Sequence, residues 1–165
     1  MDRLYTPWRS DYIKGASGEK SDGGDVDSCV FCSMLARNRD EQTFILHRAR
    51  YNFVVLNRYP YISGHLMIVP YEHTADFAAL PKESSDELMD LAKHAQGLLR
   101  EVYGPHGFNL GMNLGRAAGA GVADHLHLHL MPRWTGDTNF MTTVADARVL
   151  PEDLATTYDK LHGRF

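Results

Sequence analysis

Residues 125–134 read HLHLHLMPRW, so three of the nine histidines in this 165-residue chain stand at alternate positions. On an extended strand successive side chains point to opposite faces. His125, His127 and His129 then share one face, and Leu126, Leu128 and Leu130 share the other. Imidazoles roughly 6–7 Å apart would line an accessible surface while the leucines bury. Three chemistries compete for such a run. The first is the plain polar face of a half-buried strand, though polar faces rarely use one residue type three times running. The second is a metal site, since His-x-His on a strand chelates well and imidazole is the commonest nitrogen ligand. The third is catalysis, with one histidine as nucleophile or general base and its neighbours orienting it.

A loop of small residues, GRAAGAGVAD (115–124), leads directly into the run. Glycines allow conformations in which successive backbone N–H groups converge on an anion with no side chain in the way. Such a nest beside three imidazoles supplies what phosphoryl or nucleotidyl transfer needs: donors for developing negative charge and a nitrogen to attack phosphorus. The loop alone is a weak signal, and joined to the histidines it is a strong one.

The two cysteines form CVFC (29–32), a Cys-x2-Cys pair with the spacing of half a zinc site. A thioredoxin-like redox pair would sit in a βαβ unit, and none is visible. Two inert buried thiols are the remaining reading. No other cysteine exists, so further ligands to a metal would have to be histidines.

The elements that must hold these groups read as one α+β domain over 29–165, preceded by an N-terminal arm and flexible loop over 1–28. The loop GASGEKSDGGDVDS (15–28) is rich in Gly, Ser and Asp. A short helix is expected around CVFCSMLARN, and strands at 43–47, 52–57, 65–70, 107–114 and from 125 onward. Leu88, Leu91, Ala92, Ala95, Leu98, Leu99 and Val102 make an apolar stripe that predicts one long helix over 84–102. Ser84 and Glu87 have the spacing of a capping box, and Gly104-Pro105 supplies the stop. Residues 150–163 predict a terminal helix. The result is a largely antiparallel sheet of about five strands with one long and several shorter helices.

Composition narrows the function classes. With 44% hydrophobic and 23% charged residues and a net charge of −4, the chain is that of a soluble globular protein. It lacks the bulk positive charge that grips nucleic acid or an anionic membrane. No apolar stretch reads as a signal peptide or a membrane span, and two closely spaced cysteines make no secreted disulfide framework. The cytoplasm is the expected compartment.

Taken together, HLHLHLM, VVLNRYPYISGHLMIVP (54–70) and GMNLGRAAGAGVADH (111–125) resemble three parts of the histidine-triad (HIT) superfamily of nucleotide-binding hydrolases and transferases. They look like its histidine signature, its nucleoside-binding hairpin and its phosphate loop. LYTPWRSDYI and PRWTGDTNFM resemble the branch that holds bacterial diadenosine tetraphosphate phosphorylases and Fhit-like proteins. The resemblance implies a HIT-like fold and His127 as the nucleophile toward the α-phosphorus of a nucleotide. His129 would contact substrate near phosphate and ribose, and His65 would stand close to the site. Asn57 would bind ribose hydroxyls, although Asn also suits the turn it opens. Asn113 would contact phosphate, or merely end a strand. Ala120, Gly121 and Val122 would act through backbone N–H groups, and Trp134 would lie near substrate or be buried.

The same resemblance implies a structural Cys2His2 zinc held by Cys29, Cys32, His73 of PYEHT and His125, with no organic cofactor. Four ligands leave no open position for water, so such a metal would be structural. One departure stands out: many members carry Ser or Thr just before the triad, where this chain has Gly121 and Val122. The implied function is cleavage of a dinucleoside polyphosphate such as diadenosine tetraphosphate through a covalent nucleotidyl-histidine. The alternatives are an adenosine phosphoramidase, a nucleotide sensor with little turnover, or a catalytic tri-histidine metal site. A homodimer formed through the long helix and adjoining sheet is also implied.

Overall fold

The computed structural model describes residues 29–138 and 150–165. The expected arm and loop over 1–28 lie outside the described residues. Two short helices, α1 (Val30–Arg37) and α2 (Asp40–Thr43), precede the strands β1 (Ile45–Arg48), β2 (Asn52–Leu56) and β3 (Leu66–Pro70). The long helix α3 (Lys82–Tyr103), strands β4 (Gly107–Gly111) and β5 (Leu128–Arg133), and the terminal helix α4 (Leu154–Leu161) follow. The five strands form one sheet in the order β1-β2-β3-β5-β4, with every neighbouring pair antiparallel. This is the expected α+β architecture.

Every residue of β2 is buried, because both faces of the sheet are covered there. Val54 and Leu56 join Leu66, Ile68, Leu128 and Leu130 against Leu88 and Leu99 of α3. Phe53 and Val55 turn the other way, with Met67 and Val69, toward Phe31 and Cys29 at the start of α1. Each fully buried Leu, Ile or Val contributes about 1.5–3 kcal/mol, so the α3 face is the main core. The histidines belong to the opposite face, under α1.

Three local details differ from expectation, and two of them have a non-local cause. The α3 stripe buries as predicted, but the helix starts at Lys82 with Pro81 at its N-cap and no side-chain cap. Glu87 is used elsewhere: its carboxylate accepts from the N–H groups of Arg50 (3.0 Å), Tyr51 (2.8 Å) and Asn52 (2.9 Å) and from Asn52 Nδ2 (2.9 Å). It thereby satisfies the N–H groups at the end of the loop between β1 and β2 and at the first residue of β2. Strand β5 begins at Leu128 rather than at His125, because the Leu126 N–H donates to the Thr74 carbonyl at 2.8 Å instead of a sheet neighbour. Strand β4 ends at Gly111, short of the expected residue 114, and the glycine-rich loop begins there. Gly104 closes α3 as expected, in the left-handed region at φ 54°. Among the described residues no helix is long and apolar enough to cross a membrane.

Candidate active site and metal centre

The register of β3 against β5 sets Met67 opposite His129, which places His65 and His129 on one face of the sheet. Gly64, just before His65, has φ +77°, and a Cβ there would stand 3.2 Å from Leu99 Cδ2 and from Pro132 Cγ. Glycine is therefore required on two counts to bring His65 onto the sheet. Asn57 closes the same turn: its Oδ1 accepts from the Tyr59 N–H at 3.0 Å, and its Nδ2 lies 3.4 Å from His65 Nδ1.

Hydrogen-bond partners assign the tautomers. Tyr61 N–H donates to His65 Nδ1 at 3.2 Å, so neutral His65 carries its proton on Nε2. That Nε2 donates across 2.9 Å to His129 Nδ1, which leaves the His129 proton on Nε2. His127 Nδ1 donates to its neighbour's carbonyl, His125 O, at 2.9 Å, so the lone pair of His127 is on Nε2. His125 Nε2 donates to Pro70 O at 2.9 Å and keeps its lone pair on Nδ1. The His65–His129 pair thus leaves a donor N–H at His129 Nε2, and beside it, with ring centroids 4.8 Å apart, His127 keeps its lone pair on Nε2.

Burial keeps these rings neutral. It pushes His65 down to about 3, with His129 and His127 adding to the effect. Burial, then the proximity of His127, takes His129 to about 4. His127 is lowered by burial, against the opposing pull of the His125 carbonyl. The histidines do not line an open surface as expected: His125 is 0% and His127 6% exposed. The cause is Phe31 of α1, whose ring centroid lies 5.3 Å from both imidazoles. Phe31 sits inside the CVFC motif, and spacing alone gave no sign that it covers the triad.

The glycine-rich loop runs from Met112 to Asp124, turned by Gly115 (φ 81°) and Gly119 (φ 88°) around a 3-10 turn at Arg116–Ala118. Asn113 Nδ2 donates to Gly119 O at 3.5 Å across the loop, and Arg116 Nη2 lies 3.8 Å from Asp124 Oδ2. Among the described residues the N–H groups of Ala120, Gly121 and Val122 find no acceptor. A cleft of about 280 Å³ opens beside His129 and Asn113, with Tyr61, Gly111 and Met131 among its walls. Trp134 is not brought to it. That ring packs edge-to-face on Tyr103 at 6.5 Å instead.

The four sulfur and nitrogen ligands expected from the sequence do converge. Cys29, Cys32, His73 and His125 present ligand atoms within 4.8 Å of one another. Cys29 Sγ is 3.3 Å and Cys32 Sγ 3.7 Å from His125 Nδ1, and Cys32 Sγ is 3.4 Å from His73 Nδ1. A tetrahedron built on zinc–sulfur and zinc–nitrogen bonds of about 2.3 and 2.1 Å has edges of roughly 3.4–3.8 Å, so the residues fit the metal. Burial, then the neighbouring Cys29, pushes the Cys32 thiol up to about 11. A bound cation would remove that cost.

Comparison with known proteins agrees with this geometry. The HIT domain model matches residues 38–136, more than half of the chain. The protein therefore belongs to the HIT domain family and is a HIT-type enzyme. It is 37% identical over 157 residues to the AP-4-A phosphorylase of Mycobacterium tuberculosis (strain ATCC 25618 / H37Rv), covering 95% of this chain and 80% of that one. It is 30% identical over 106 residues to an adenosine 5'-monophosphoramidase of Schizosaccharomyces pombe, covering 64% of this chain and 74% of that one. A zinc-bound histidine triad family protein from Mycobacterium smegmatis superposes with a TM-score of 0.69 at 26% identity, over 85% of this chain and 94% of that one.

Proposed function

We propose that the protein cleaves dinucleoside polyphosphates such as diadenosine tetraphosphate by nucleotidyl transfer through His127. The observation that carries this reading is the His127 Nδ1–H bond to His125 O, which fixes the lone pair on Nε2 in a neutral ring. Nε2 attacks the α-phosphorus, a P–N bond forms, and the P–O bond to the remaining nucleoside polyphosphate breaks. His129 Nε2–H is the donor available to the phosphate oxygens as charge moves onto the leaving group. The N–H groups of Ala120, Gly121 and Val122, with Asn113, would hold the non-bridging oxygens. Asn57 is the group proposed for the ribose hydroxyls. An acceptor, water or inorganic phosphate, then attacks the same phosphorus and the P–N bond breaks, restoring neutral His127. His65 fixes the tautomer of His129. Trp134, packed edge-to-face on Tyr103, is proposed to stand near the substrate at its outer edge.

The zinc reading accompanies it. Cys29, Cys32, His73 and His125 are proposed to hold one structural zinc that ties α1 to the start of β5. Two thiols kept as metal ligands suit a reducing compartment, which supports the cytoplasm. A homodimer is proposed across β4, an edge strand whose Leu110 is 49% exposed, beside α3, whose Met89 is 42% exposed.

Product identification tests the activity. Diadenosine tetraphosphate supplied with and without inorganic phosphate should give ATP plus ADP if phosphate is the acceptor, and ATP plus AMP if water is. No cleavage of it, with turnover of an adenosine phosphoramidate, would replace the reading with the phosphoramidase one.

A further inference from the structure

We propose that Arg116 recognises the distal phosphates of a polyphosphate substrate, passing its guanidinium from Asp124 to the leaving group. This rests on the nucleotidyl-transfer reading above. Arg116 is the only Lys or Arg between residues 107 and 130, and Asp124 the only acidic residue. Both ends of their loop are tied to the reacting groups. Gly111, where β4 ends, stands opposite His129, Asn113 lines the cleft, and the far end of the loop runs into His127.

The hold of Arg116 on Asp124 is loose. It is one contact at 3.8 Å between side chains that are 66% and 45% exposed. A pair so solvated contributes close to nothing to stability, so exchanging it for another anion costs little. The guanidinium presents a planar fork of donors that matches two phosphate oxygens at once. Residues 115–124 contain no Ser or Thr. Once the backbone donors serve the reacting phosphate, Arg116 is the side chain left in the loop to meet further negative charge. A nucleoside polyphosphate leaving group carries that charge, and a mononucleotide does not extend to it.

The test measures binding of AMP and of a non-hydrolysable methylene-bridged analogue of diadenosine tetraphosphate to the full chain by calorimetry. Arg116→Gln should weaken the analogue about ten- to a hundredfold more than it weakens AMP. Asp124→Asn should tighten the analogue. Equal weakening of both ligands in Arg116→Gln overturns the assignment. So does an Asp124→Asn variant that weakens the analogue as Arg116→Gln does, because the pair is then only a brace of the loop. A wild-type protein with no preference for the analogue over AMP overturns it too. The readout needs no turnover: an Arg116-dependent preference in a protein that cleaves no dinucleoside polyphosphate leaves this assignment standing and removes the proposed chemistry.

Discussion

His65 Nε2 stands 2.9 Å from His129 Nδ1, and the pair titrates far from the usual histidine range, at about 3 and about 4. In the unfolded chain His65 gains a proton near pH 6.5, whereas the folded chain resists it until about 3. Between those values the unfolded state binds more protons, so stability rises with pH and is lost on acidification. His65 alone should contribute a slope of about 1.4 kcal/mol per pH unit in that window. Urea melts of the wild type and His65→Phe at several pH values check this, and equal slopes would show that His65 is not the source.

Removal of the proposed nucleophile gives the plainest kinetic outcome. His127→Ala should lose at least about a thousandfold in turnover of diadenosine tetraphosphate and form no covalent nucleotidyl adduct. Its metal content should stay at the wild-type level, since His127 is not among the clustered ligands. Mass spectrometry after mixing with substrate reads the adduct, and a labelled His127→Ala protein would falsify the mechanism.

Loss of the metal should act on stability first. Cys32→Ser, or treatment with a strong chelator, is expected to lower Tm by about 10 °C, the equivalent of a few kcal/mol in a domain of this size. Purified wild-type protein should hold close to one zinc per chain by elemental analysis. A chain that purifies without zinc and melts at the same temperature with added zinc would exclude the site.

Glu87 carries an unexpected structural role. Its carboxylate meets three backbone N–H groups at 2.8–3.0 Å. Glu87→Ala should cost about 2 kcal/mol, because those donors lose a charged acceptor in a half-buried place. Glu87→Gln should cost less. Chemical denaturation separates the two, and a Glu87→Ala loss below about 0.5 kcal/mol would reduce the contact to an incidental one.

Sequence reading succeeded where the pattern was local and periodic. The Leu88-to-Leu99 stripe predicted α3, and alternation in β5 placed Leu128 and Leu130 in the core and His129 on the other face. The cysteine pair with its two histidines also converged as a cluster. It failed where a partner lies far along the chain. Glu87 matched a capping box but serves a loop 35–37 residues away. The Leu126 N–H is taken by Thr74, which shortened the predicted strand. The burial of His125 and His127 depends on Phe31, whose position in CVFC pointed to metal ligation and not to packing.

Phe31 also bears on the order in which the molecule assembles. Helix α1 has eight residues, too few to persist alone in water. Cys29 meets His125 across 96 residues of chain, whereas the hairpin of β2 and β3 closes over a short turn. Closing a longer loop carries a larger entropic penalty and slows the step that needs it. Loop length therefore predicts that the sheet forms ahead of the docking of α1, with the wall beside His127 completed late. A nascent chain would have its sheet before it has the cover over His127.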